Sequence, residues 1–153
     1  MSVGQILSPL DAKFDDRGML VPVEFSGLQF KPVRAFLLSG ANGQPRGDHA
    51  HRKCQQILWC LRGVWRVELT NTQGVTEHIA LPGNESLLYI PAGVWVRAWP
   101  SEKGDMLMVL TDRPYEPDDY LRDFREFLDL TPERKDIVME RRAGGAKRYR
   151  HVS

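Results

Sequence analysis

Between residues 19 and 111 the chain runs in short apolar or alternating stretches, each closed by a turn rich in glycine, proline or asparagine. "MLVPVEF" (Met19 to Phe25), "VWRVELT" (Val64 to Thr70) and "VTEHIAL" (Val75 to Leu81) alternate, as a strand with one buried face requires. "QQILWCL" (Gln55 to Leu61) is apolar at successive positions and reads as a buried strand. "VRAFLL" (Val33 to Leu38), "SLLYI" (Ser86 to Ile90), "VWVRAW" (Val94 to Trp99) and "DMLMVLT" (Asp105 to Thr111) complete the set. "NTQG" reads as a hairpin turn, "PGNE" and "PAG" as further turns, and "SGANGQPRGD" as a longer loop. Many short strands at this spacing predict an all-β sandwich or barrel.

The period then changes. In "PDDYLRDFREFLDL" the residues Tyr120, Leu121, Phe124, Phe127 and Leu128 recur at helical spacing. Pro117 suits a first turn, and Asp118 and Asp119 suit the positive end of the helix dipole. This predicts a C-terminal helix packed over one mouth or edge of the barrel. Residues 1–130 are expected to form one domain. Residues 131–153 carry seven Lys/Arg against three Asp/Glu and are expected to form a mobile basic tail.

Composition narrows the classes. A net charge of +1 provides no electrostatic drive toward nucleic acid or an anionic membrane. The first 18 residues contain acids and no long apolar run, which argues against a signal peptide. No apolar run approaches the roughly 20 residues that span a bilayer. A cytoplasmic protein is expected, with Cys54 and Cys60 as reduced, packed thiols.

The chemistry concentrates in "RGDHAHRKCQQILWCLRG", Arg46 to Gly63. Alternation places His49 and His51 on one face of a strand, with Ala50 on the other. Gly43, His49, His51, Gln56 and Gly63 fall at the spacings of the first cupin motif, G-x5-H-x-H-x3,4-E-x6-G. "ESLLYIPAGVWVRAWP" resembles the second motif at Pro91 and Gly93. The resemblance implies a double-stranded β-helix, a jelly-roll barrel with its site in the mouth. Two ligand positions of a metal cupin are changed, to Gln56 and Val96. A neutral amide and a hydrocarbon do not complete a transition-metal site.

A closer resemblance rests on "DDRGML", "RGDHAHRKCQQILWCLRGVWRVEL", "LLYIPAGVW" and "MVLTDRPYEPDDYLRDFREFL", in that order. These resemble the WxcM-like cupin sugar 3,4-ketoisomerases that act on dTDP-4-keto-6-deoxyglucose. The resemblance covers roughly residues 14 to 128. It implies a metal-free isomerase without a cofactor, which moves a carbonyl from C4 to C3 of a dTDP-linked 6-deoxyhexose for deoxyamino-sugar biosynthesis. It carries His49 and His51 over as catalytic residues, and implies a homodimer with exchanged N-terminal strands.

Imidazole suits the chemistry, because a 3,4-keto shift through an enediol requires only proton transfers near neutral pH. Arg46 and Arg17 are candidates for the diphosphate, since guanidinium forks match phosphate oxygens. Gln56, Trp95 and Arg97 are further candidates for lining the substrate site. At Arg34-Ala35-Phe36-Leu37 the chain departs from the family's R-V-Y-Y, so a tyrosine found near the site in relatives is absent. Tyr89 or a bound water is the expected replacement. A related cupin epimerase, a metal-dependent cupin and a non-catalytic nucleotide-sugar-binding module are the competing readings.

Overall fold

A computed structural model describes residues 2–7, 9–41 and 43–130; the basic segment expected as a tail lies outside them. The strands are β1 (Gln5–Ile6), β2 (Lys13–Asp15), β3 (Gly18–Leu20), β4 (Arg34–Ser39), β5 (Arg46–His51) and β6 (Gln56–Arg62). They continue with β7 (Val64–Thr70), β8 (Thr76–Pro82), β9 (Leu87–Ile90), β10 (Trp95–Pro100), β11 (Met106–Thr111) and β12 (Tyr120–Leu121). One helix, α1 (Phe124–Leu128), follows.

Alternation sorts these strands into layers. One five-stranded sheet has the order β1-β9-β6-β11-β4, and the other β12-β5-β10-β7-β8. Leu58, Cys60, Leu107 and Val109 of the first sheet meet Val67, Leu69, Val96 and Ala98 of the second in the central core. The outer face of the first sheet, including Ile57, Leu87 and Leu110, is covered by Leu7, Leu10, Val23, Leu28 and Phe30. The outer face of the second sheet carries Ala50 and Trp95, covered by Leu121 and Phe127. Burial on both faces explains why "ILWCL" is apolar throughout rather than alternating. The result is the two-sheet sandwich expected from the strand pattern, in the jelly-roll form that the cupin resemblance implies.

Turn chemistry agrees with the register. Asn71 Oδ1 accepts from the backbone N–H groups of Gln73 (3.0 Å) and Val75 (2.9 Å), closing the β7–β8 hairpin. Both cysteines are buried and unpaired. No helix among the described residues is long and apolar enough to cross a membrane.

Two elements differ from expectation. Of "MLVPVEF" only Met19 and Leu20 are strand, at the end of β3 and paired with β2, and Phe25–Gly27 forms a 3-10 turn. Pro22 offers no N–H to extend the ladder. The helix predicted from Pro117 begins only at Phe124. Pro117–Asp119 form a 3-10 turn, and Tyr120 and Leu121 pair with His51 and Ala50. Completing the edge of β5 and filling the Asp119 carboxylate's hydrogen bonds outweighs local helix preference. Asp123 then caps α1, its carboxylate accepting from the N–H groups of Arg125 (2.8 Å) and Glu126 (3.0 Å).

Candidate active site

The site forms where β5, β12 and β4 converge at one mouth of the sandwich. His49 and His51 sit on one face of β5, their rings edge-to-face with centroids 5.0 Å apart. Pairing of β12 with β5 brings the Tyr120 ring against both, 4.9 Å from His49 and 4.4 Å from His51. His49 Nδ1 lies 3.0 Å from the Gly47 carbonyl, which fixes Nδ1 as the protonated nitrogen and leaves Nε2 as a lone pair. Burial, foremost, and the neighbouring His51 push the His49 pKa down to about 4, so the ring is neutral at neutral pH.

His51 is buried, and its Nδ1 lies 3.0 Å from Asp119 Oδ2. Its Nε2 is buried with no hydrogen-bond partner among the described residues. Burial lowers the His51 pKa, while Asp119 works in the opposite direction without reversing it. Burial alone raises the Asp119 pKa. The backbone N–H groups of Cys54 (3.1 Å) and Lys53 (2.7 Å), together with His51, outweigh that and hold the carboxyl below its usual range. Asp119 is therefore a buried carboxylate that fixes the His51 tautomer and orientation.

A cavity of about 520 Å³ opens beside these residues, lined by His49, Arg46, Gln56, Arg34, Arg122 and Tyr120 among others. A small adjoining pocket of about 10 Å³ shares Arg34, Phe36, Gln56 and Tyr120 with the cavity and adds His51 and Asp119. His49 thus borders the open volume, and His51 lies behind it against the small adjoining pocket. No acidic side chain is among the described residues lining the cavity, and Arg34, Arg46 and Arg122 form no ion pair among the described residues. The Arg122 guanidinium stacks 4.5 Å from the Tyr120 ring centre, and Arg34 stacks 4.7 Å from that of Phe36. Stacking orients these cations while leaving their N–H edges for an anion.

The structure therefore brings His49, His51, Arg46 and Gln56 together and leaves three expected residues elsewhere. Trp95 and Arg97 share a strand face, as alternation requires, but it is the outer one. Val96 and Ala98 point to the cavity, while Trp95 packs against Phe124 and Phe127 with ring centres 5.1 and 5.5 Å away. Arg97 Nε donates to Asp48 at 2.7 Å. Arg17 lies at the exposed tip of the β2–β3 hairpin, ion-paired with Asp15, and does not line the cavity of its own chain. Tyr89, the expected replacement phenol, is also elsewhere, its hydroxyl donating to Gln55 Oε1 at 2.6 Å. The phenol beside the imidazoles belongs to Tyr120. Tyr120, Arg122 and Asp119 were hidden by the helical reading of "DDYLR"; strand alternation across β12 is the signal that places Tyr120 inward.

The donor set does not fit a metal cupin. Gln56 is a neutral amide and Val96 offers no donor atom. His51, Cys54 and Asp119 each offer an atom within 4.8 Å of the others. However, Asp119 already accepts three hydrogen bonds, and burial, foremost, pushes the Cys54 thiol up to about 12, so it keeps its proton.

Residues 5–132 match the family model described as FdtA: WxcM-like, C-terminal. The TDP-4-oxo-6-deoxy-alpha-D-glucose-3,4-oxoisomerase of Aneurinibacillus thermoaerophilus is 33% identical over 115 residues, covering 74% of this chain and 82% of that protein. A 3,4-ketoisomerase from Helicobacter canadensis superposes with a TM-score of 0.76 at 30% identity, over 83% of this chain and 96% of its own. The sugar 3,4-ketoisomerase QdtA from Thermoanaerobacterium thermosaccharolyticum, solved with TDP, gives a TM-score of 0.76 at 26% identity, over 88% of this chain and 96% of its own. A histidine-to-asparagine variant of QdtA has been solved with TDP-4-keto-6-deoxyglucose. Fold and site together are those of a cupin-type isomerase. The chain belongs to the FdtA family of WxcM-like sugar 3,4-ketoisomerases.

Proposed function

We propose that this chain converts TDP-4-keto-6-deoxyglucose into its 3-keto isomer by proton transfers between His51, His49 and the sugar. The observation that carries this reading is the His51–Asp119 pair. Asp119 accepts the Nδ1 proton, leaving a buried, unpartnered Nε2 lone pair beside His49 and Tyr120. Arg46, Arg34 and Arg122 supply positive charge for the diphosphate, and the size of the cavity suits a nucleotide-linked sugar.

In this mechanism His51 Nε2 removes the C3 proton, which the C4 carbonyl acidifies. The C3–H electron pair forms the C3=C4 double bond and the C4 carbonyl pair moves onto O4, giving an enediolate. His49 Nε2 accepts the O3 proton and serves the transfer to O4. The new carbonyl forms at C3, and the His51 imidazolium returns its proton to C4. Protons and electrons balance without a further reactant. Asp119 stabilises the transient imidazolium, and the Tyr120 ring screens both imidazoles from bulk water. Gln56, buried at the cavity wall, is placed to hydrogen-bond a sugar hydroxyl.

Incubation with TDP-4-keto-6-deoxyglucose in heavy water, followed by NMR, tests the reading. The expected product carries its carbonyl at C3, with deuterium at C4 only to the extent that the His51 imidazolium exchanges with solvent before returning the proton. A carbonyl retained at C4 with deuterium at C3 and C5 would identify an epimerase instead.

The same reading includes a homodimer. Phe14, Met19 and Leu20 on the β2–β3 hairpin are 74%, 50% and 60% exposed, an apolar group with no cover among the described residues. In the single chain β1 pairs with its own β9. In the dimer the hairpin lies against the partner, and Arg17 at its tip approaches the partner's cavity. Light scattering is expected to give twice the 17.5 kDa chain mass. A Phe14→Asp/Met19→Asp variant is expected to run as a monomer; a monomeric wild type overturns the proposal.

A further inference from the structure

Arg46 and His49 are three residues apart on β5, yet both line the cavity. In a regular strand an odd separation places two side chains on opposite faces. The register explains the exception. Val96 pairs with His49, Arg97 with Gly47 and Ala98 with Arg46, so Asp48 is an extra residue opposite no partner, a β-bulge. The bulge turns Arg46 back to the inner face and so puts the phosphate cation and the acid–base imidazole in phase.

The backbone at the bulge is left-handed at two successive residues, Gly47 (φ +82°) and Asp48 (φ +58°). Position 47 accepts only glycine, because a Cβ there would lie 2.8 Å from the Val96 carbonyl oxygen. The turned Gly47 carbonyl is the one that His49 Nδ1 meets. Asp48 has a Cβ and holds an unfavourable conformation for an L-residue. Its carboxylate accepts from Arg97 Nε at 2.7 Å and from Trp95 Nε1 at 3.2 Å. Arg97 also approaches Glu68, with 3.6 Å between Nη1 and Oε1. Trp95 is itself buried between Ala50, Leu121 and Phe127. The Arg97 hydrogen bond, foremost, holds the Asp48 carboxyl below the usual carboxylate range.

We propose that Asp48, held by Arg97 and Trp95 on the outer face of the barrel, is a positioning clamp that locks the bulge and keeps Arg46 and His49 on the same face. The proposal rests on the ketoisomerase reading for its effect on turnover, but the clamp itself is independent of that reading. It makes Arg97 a positioning residue that acts through the backbone rather than a substrate ligand. A half-exposed ion pair adds little to stability; its effect here is geometric.

Asp48→Gly is the clean test, because glycine adopts the left-handed conformation without strain and removes only the clamp. The variant is expected to keep the fold by circular dichroism. It is expected to lose between about 10- and 100-fold in kcat through His49, and to bind TDP about tenfold more weakly through Arg46. Asp48→Asn, which tolerates the same conformation and still offers an oxygen, is expected to restore both. Arg97→Gln is expected to reproduce the Asp48→Gly losses, and the double variant to be no worse than either single one. Losses that multiply, or an Arg97→Gln defect without an Asp48→Gly defect, overturn the clamp. A crystal structure of Asp48→Gly with the bulge, Arg46 and His49 unmoved does the same. If the wild type lacks ketoisomerase turnover, the functional reading falls, while the crystal structure still decides the clamp.

Discussion

A His51→Asn variant is expected to lose roughly 100- to 10,000-fold in ketoisomerase turnover while retaining its fold. The asparagine amide can still donate to Asp119, so the buried carboxylate is not stranded and the core around it survives. What disappears is the ring nitrogen that accepts the C3 proton in the proposed mechanism. Turnover measured by NMR, with circular dichroism as the control for folding, checks the prediction. Turnover within tenfold of wild type would remove His51 from the role of base. His49→Asn is expected to show a smaller loss, because the oxygen-to-oxygen transfer it serves can pass through water.

An Asp119→Asn variant is expected to lose roughly 100-fold or more, although Asp119 touches no substrate. Its carboxylate accepts from Lys53 N–H, Cys54 N–H and His51 Nδ1 at 2.7, 3.1 and 3.0 Å. An amide keeps one oxygen for Lys53 and turns its NH2 toward His51 and Cys54. His51 must then accept at Nδ1, which places its proton on Nε2 and removes the base. The Cys54 N–H loses its acceptor, which costs about 1–3 kcal/mol of stability, readable by denaturant unfolding.

The pH profile separates this role from a structural one. Folded His49 and His51 both have lowered pKa values, His49 to about 4. A lowered histidine pKa keeps the basic form populated at lower pH, so the acidic limb of wild-type kcat/KM is expected below the usual 6.5, with its His49 part near 4. Asp119 raises the His51 pKa, so its removal shifts the His51 part of that acidic limb to still lower pH. A variant with the wild-type limb and wild-type kcat would show that Asp119 does not act through His51. The same two histidines make the folded state less stable as pH falls from 6.5 toward 4, because the unfolded chain takes up protons that the native chain refuses.

Much of this site is legible in the chain itself. Period-two alternation identifies the strands. The spacing from Gly43 through His49 and His51 to Gly63 marks the barrel's first motif. Gln56 and Val96 take away the metal ligands. Those features are local: each depends on residues within one strand or one turn, where side-chain direction follows from backbone geometry.

Tertiary structure decided the rest. Tyr120 and Leu121 have helical spacing, but the open edge of β5 offered them a ladder and Asp119 a set of buried donors, and those long-range bonds outweighed helix propensity. That choice placed Asp119 behind His51 and the Tyr120 ring against both imidazoles. Trp95 and Arg97 share a face, as strand alternation requires. Which face it is depends on the sheet's partner layer, and the helix α1 covers the one they occupy. The bulge at Asp48 sets Arg46 on the inner face, where strict alternation from His49 would turn it away. Alternation gives relative orientation along one strand; only the packing of a second element against it makes one side inside and the other outside.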